Sequence, residues 1–236
     1  MTPGPIAYFI WILCSLLEGA VVVCALARGS FRRYFTINLY MAASVAMSIG
    51  RYFVLSRYGF NSDQYFYFYY YSDALLVICL YFGLMGLYSI VFEELGAGTY
   101  VRAFSMLLLG GTALFTYAVV HQAQDRMVTR YVAEISQNLY FVGLVLTYVL
   151  WGAVLKLRET RARVVQFVLS LGVYFSISAA IYALRNLYPS YPNLASVLMY
   201  TSQITDLLLP LAWNFAYLRF DDDARFAPAR LAVIPR

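Results

Sequence analysis

NSDQYFYFYYYSDALLVICLYFGLMGLYSIVF, residues 61–92, decides how the chain is built. A run of aromatics (Tyr65, Phe66, Tyr67, Phe68, Tyr69, Tyr70, Tyr71) leads through Ser72 to a single acid, Asp73, and then to about twenty mostly apolar residues. Tyrosine is amphipathic and collects where lipid headgroups meet hydrocarbon, so the run marks a membrane interface. The segment beyond it is a membrane span carrying one acid, and an acid in hydrocarbon needs a partner or a purpose.

Working outward, the whole chain has the same character. Hydrophobic residues make up 62% of it, charged residues 12%, and the mean hydropathy is +0.67. No soluble domain of this length has that composition, so the fold class is all-α, a polytopic membrane protein. Runs of roughly twenty apolar residues, the length that crosses about 30 Å of hydrocarbon, recur along the chain. They predict transmembrane helices at about residues 5–27, 34–55, 64–92, 103–121, 131–155, 164–187 and 194–218, one seven-helix domain over 1–219, and a short tail over 220–236. The first run is not a signal peptide: no Lys or Arg precedes it, it is too long, and Val21-Val22-Val23 before Cys24 is a poor cleavage site. Helix 7 carries Pro210 and is expected to kink near it.

Orientation follows from the basic residues. Twelve Lys and Arg fall on the side of the 1–2, 3–4 and 5–6 loops and the C-terminus, and five on the other. That bias puts the N-terminus outside and the C-terminus in the cytoplasm. It also accounts for the net charge of +5 without a nucleic-acid partner.

Polar residues inside the spans are the candidate site, because in lipid they turn toward protein or trapped water. Helix 1 has Glu18, with Cys14 and Ser15 one turn before it. Helix 2 has Arg51 on a face with Ser48 and Ser44. Helix 3 has Asp73, helix 5 Glu134 followed by Gln137 and Asn138, helix 6 Arg185 on a face with Ser178, and helix 7 Asp206 with Gln203. Arg51, Asp73, Glu134 and Arg185 fall in the outer third, Glu18 and Asp206 near mid-membrane. The expected geometry is a polar cup open to the outside over an apolar floor, formed by Glu18, Arg51, Asp73, Glu134, Arg185, Gln203 and Asp206. Two readings of these residues stay open: a ligand pocket, or a network of arginines and carboxylates that locks the bundle. Arg51, Arg185 and Glu134 also sit near enough to helix ends to reach the interface.

Small residues recur every fourth position on helix 2 (Ala42, Ala46, Gly50) and helix 6 (Gly172, Ser176, Ala180), stripes that let helix backbones approach closely. Both helices end near an Arg that is followed by an acid on the next helix, Arg51 then Asp73 and Arg185 then Asp206. This spacing hints that helices 1–3 and 5–7 are parallel copies joined by helix 4, although Glu18 and Glu134 do not match.

Several chemistries are excluded. The single lysine, Lys156, is at the end of helix 5, so helix 7 offers no amine for a retinal Schiff base. The single histidine, His121, rules out bis-His haem and His-cluster metal centres within one chain. Cys14, Cys24 and Cys79 have no metal spacing, and the first two are too far apart on one helix to bridge. Asp73 and Asp206 lack the Gly-x-Gly-Asp setting of intramembrane aspartyl proteases, and Glu93 and Glu94 lack the residues of membrane prenyl proteases. No enzyme activity, metal or cofactor is expected.

Helix 2, the tyrosine-rich approach to helix 3 with Asp73-Ala74-Leu75-Leu76, and the stretch from Leu87-Tyr88 to Phe92-Glu93 resemble uncharacterised bacterial seven-helix membrane proteins. The resemblance covers mainly helices 1 to 3. It implies a multi-pass protein of the bacterial inner membrane and no particular activity. Two functions then remain: a receptor-like or transporter-like module whose cup binds a small or amphipathic ligand, or an accessory subunit packed against other proteins of a membrane complex. The lipid bilayer is the partner common to both.

Overall fold

The computed structural model describes residues 5–92, 98–121, 127–157, 161–188 and 192–221, and these are helices joined by short turns. The helices are α1 (Pro5–Ala27), α2 (Phe35–Tyr58), α3 (Asp63–Val91), α4 (Gly98–His121), α5 (Met127–Lys156), α6 (Ala162–Leu187), α7 (Pro192–Asp206) and α8 (Leu208–Arg219). Among the described residues α1, α2, α3, α5 and α6 are long and apolar enough to cross a membrane, and α4 holds a shorter apolar stretch, Met106–His121. The chain is thus an all-helical protein of membrane character. The 3–4 loop around Gly96 and the tail from 222 onward lie outside the described residues.

Local chemistry sets the helix ends. Gly59, at φ 80°, closes α2 in a conformation other residues avoid. Three residues on, the Ser62 hydroxyl accepts the backbone N–H of Tyr65 at 3.2 Å and caps α3, with Asp63 in the first turn favourably placed against the helix dipole.

Neighbour relations give a closed ring. α1 packs on α2, α2 on α3, α3 on α5, α5 on α6, α6 on α7 and α8, and these return to α1, while α4 lies outside against α5 and α3. Two parallel three-helix units joined by an outlying fourth helix would give this order. The small-residue stripes face ring neighbours: Gly50 lies against the Phe68 ring on α3, where a Cβ would come within 2.8 Å, and Gly172 lies against Thr147 on α5. Large apolar side chains cover the outside, Leu107 and Leu114 on α4 being 72% exposed, as expected where lipid is the solvent.

The seventh helical segment is interrupted near Pro210, as expected. It breaks a turn earlier, at Leu207, which separates α7 from α8. Pro210 has no N–H, so the carbonyl four residues before it, on Asp206, loses its intrahelical donor. The Cys14 thiol of α1 takes up that carbonyl at 3.5 Å.

Candidate functional site

Four helices bring charged side chains to one place inside the ring. Glu18 of α1 is buried, 7% exposed, and its Oε1 accepts the Ser44 hydroxyl at 2.7 Å and the Cys14 thiol at 3.6 Å. Its Oε2 has no hydrogen-bond partner among the described residues. Arg51 of α2 donates from Nε to the Ser72 hydroxyl at 2.8 Å and from Nη2 to the Tyr69 carbonyl at 3.5 Å, and its guanidinium lies over the Tyr69 ring at 4.5 Å. Asp73 of α3 is half-buried, within electrostatic range of Arg51.

Asp206, at the end of α7, is the telling residue. The charges of Asp73, Glu18 and Arg51 all reach it, and its own charge reaches Tyr174 of α6. It is therefore ringed by side chains of α1, α2, α3 and α6, and yet it is exposed. An exposed acid within electrostatic range of side chains on four other helices marks this part of the bundle as the candidate cleft.

Tyrosines, two of them buried in the core, stand close to these acids. Tyr40 of α2, Tyr140 of α5, and Tyr174 and Tyr182 of α6 each lie within electrostatic range of one or more of these acids. Tyr140 and Tyr174 are joined by their hydroxyls at 3.5 Å, and the Tyr140 and Tyr182 rings lie 5.2 Å apart. Below, Tyr40 meets Trp213 of α8 at 6.1 Å between rings, and Trp213 donates from Nε1 to the Ser170 hydroxyl at 2.9 Å. Aromatic packing continues from Trp213 through Phe167 to Tyr217 and Tyr34, so the cleft has a floor.

At the far end of that column lies a second polar cluster. Arg163, 1% exposed, donates from Nη1 to the Ser30 hydroxyl at 2.9 Å and from Nη2 to the Phe220 carbonyl, and lies over the rings of Tyr34 and Tyr217 at 5.8 and 5.0 Å. Arg28 pairs with Asp221 and donates to the Leu218 carbonyl at 2.9 Å, and Arg161 donates to the Ile90 carbonyl at 2.9 Å. Arginines satisfy the last carbonyls of α3 and α8, where the helix dipole also favours a cation.

Of the residues expected to form the cup, the structure brings together Glu18, Arg51, Asp73 and Asp206, with Gln203 one turn before Asp206 on the same face of α7. Gln203 Oε1 is buried without a hydrogen-bond partner among the described residues. Arg185 is exposed a turn beyond Tyr182, on which its charge acts, so it sits at the margin. Glu134 is half-buried on the face of α5 that holds Asn138, whose amide donates to Thr116 of α4 at 2.9 Å. That face belongs to the α4–α5 seam. The polar pattern of the spans does not single out the cleft tyrosines, although following Arg51–Ser48–Ser44 down one more turn reaches Tyr40, and following Arg185–Ser178 down reaches Tyr174.

No protein-family model, curated protein or solved structure matches this chain.

Proposed function

We propose that the chain is a non-enzymatic integral membrane protein whose cleft binds a small or amphipathic ligand, a receptor-like or transporter-like module. The observation that carries this reading is Asp206: exposed, yet ringed by side chains of α1, α2, α3 and α6. A network that served to lock the bundle would close its carboxylates onto arginines. Among the described residues no ion pair joins Arg51 to Glu18, Asp73 or Asp206, and Arg28–Asp221 at the other end is the pair that forms. Intramembrane acids are costly and are kept where they have a task, which supports assigning the cleft one.

The same reading includes seven spans, with α7 and α8 together forming the last, the N-terminus outside and the C-terminus in the cytoplasm. Lys and Arg counts support this orientation, and the resemblance of helices 1 to 3 supports the bacterial inner membrane. A fluorescent protein fused after Arg236 should then fold and fluoresce in the cytoplasm. A dark fusion alongside an active periplasmic reporter at the same site would reverse the topology.

The binding reading is tested by native mass spectrometry of the protein released gently from its own membrane. The expected result is one chain carrying a defined small mass that is lost in Asp73→Asn. Recovery in a fixed ratio with other subunits, unaffected by Asp73→Asn, would instead make the chain an accessory component of a larger complex.

A further inference from the structure

The charge balance of the cleft narrows what it can hold, and this inference rests on the binding reading above. Three carboxyl groups, Glu18, Asp73 and Asp206, come from three helices, with Arg51 the cation in range of all of them. Arg51 spends its described hydrogen bonds on Ser72 and the Tyr69 carbonyl and its face on the Tyr69 ring, so it does not close on any acid. Glu18, deep in the bundle, keeps Oε2 without a donor. An unfilled carboxylate oxygen among further acids calls for a cationic donor.

The shape of the cluster says which kind. No three of the described His, Cys, Asp and Glu side chains lie close enough together to ligate one metal ion, so the acids are spread more widely than a bare cation can bridge. Near them are Tyr40 and Tyr182, partly exposed, whose π-faces can attract a cation and whose hydroxyls can accept its N–H groups, backed by the buried Tyr140 and Tyr174. Carboxylates with aromatic rings near them suit a charge carried on a carbon framework. We propose that the cleft binds an organic ammonium ion, with its nitrogen among Glu18, Asp73 and Asp206, its body against the tyrosines, and the Tyr40–Trp213 floor limiting its depth.

The test uses the full chain in lipid nanodiscs, with a thiol introduced as Gln203→Cys and its modification followed by peptide mass spectrometry, native cysteines kept. Three methanethiosulfonates are compared, trimethylammonioethyl, sulfonatoethyl and methyl, each scaled to its rate with a free small thiol. The cationic reagent should react on the order of tenfold faster than the anionic one, since a cleft of one sign concentrates the opposite charge. That preference should fall in Asp73→Asn. Phenethylammonium, which carries N–H donors, should slow labelling and raise the unfolding midpoint of the unsubstituted protein, while benzoate should do neither. Labelling by the neutral reagent with no charge preference, or protection by benzoate, by both ions or by neither, would overturn the ammonium assignment and leave the open cleft standing. Failure of all three reagents to label would overturn the open cleft itself and the inference with it.

Discussion

Arg163 and Arg51 occupy opposite ends of the same bundle and are treated in opposite ways. Arg163 sits fully buried with donors on Ser30 and the Phe220 carbonyl and rings of Tyr34 and Tyr217 around it. Arg51 has three acids in range and bonds none of them. One end of the protein consumes its cation to seal helix termini, and the other leaves acids unanswered around an accessible cleft. A sealed cluster is built for stability, and on the proposed reading the unsealed one keeps its polar groups for a ligand.

The largest effect should come from breaking the sealed end. Arg163→Ala removes both donors from a fully buried position and opens a void among Tyr34, Phe167 and Tyr217, which should cost about 3 kcal/mol or more. Unfolding in mild detergent should show it as the largest drop in this set. Arg163→Lys keeps the charge but not the fork of donors, and should recover part of the loss. A stability within error of the parent in Arg163→Ala would mean that the end is not sealed by this residue.

Next comes the floor between the two regions. Trp213→Phe removes the hydrogen bond to Ser170 while keeping an aromatic ring, and should cost about 1–2 kcal/mol. Ser170 still donates to the Phe167 carbonyl at 2.9 Å, which keeps the figure modest.

The open end should respond with the opposite sign. Glu18→Gln and Asp206→Asn each relieve the crowding of like charges, so stability should hold or rise by up to about 1 kcal/mol, while ligand retention should fall. Destabilisation of about 3 kcal/mol or more by either change would make the cluster a structural lock, as at Arg163.

How much of this can be seen in the residues themselves varies with the physics. The helical class and the long apolar spans are legible, because crossing hydrocarbon demands about twenty apolar residues with every backbone group bonded internally. Glu18, Asp73 and Asp206 stand out for the same reason: an acid in an apolar run is conspicuous. The tyrosines do not, since with 23 in the chain no single one is conspicuous, and which of them turn inward depends on packing. Tyr69 shows this within the aromatic run: it is exposed to the same degree as Phe66 and Tyr67, and packing alone sets it under the Arg51 guanidinium. Arg163 reads in the sequence as part of a charged turn, because arginines at helix ends ordinarily reach out to water. Its burial arises from the meeting of the α1–α2 turn, α6 and α8, contacts between distant parts of the chain that local pattern does not encode. Glu134 stands one turn from Asn138, which bonds Thr116 of α4.

The smallest expected effect links the two regions through one atom. Pro210 deprives the Asp206 carbonyl of its helical donor, and the Cys14 thiol stands between that carbonyl at 3.5 Å and Glu18 Oε1 at 3.6 Å. One thiol proton thus has two acceptors, one from the break in the helix and one from the cleft. In Pro210→Ala the new N–H should take the carbonyl, join α7 to α8, and leave the thiol proton to Glu18. Stability should change by less than about 1 kcal/mol, because a backbone hydrogen bond is gained as the buried proline ring is lost. The S–H stretching band of Cys14, observed with Cys24 and Cys79 replaced by alanine, reads the transfer directly. It should shift in Pro210→Ala and become sensitive to an added Glu18→Gln to a degree the parent is not. A band unchanged by Pro210→Ala would mean that the thiol serves Glu18 already, so that the broken helix and the cleft are merely adjacent. A shifted band would make the proline the feature that fixes where the cleft's exposed acid stands.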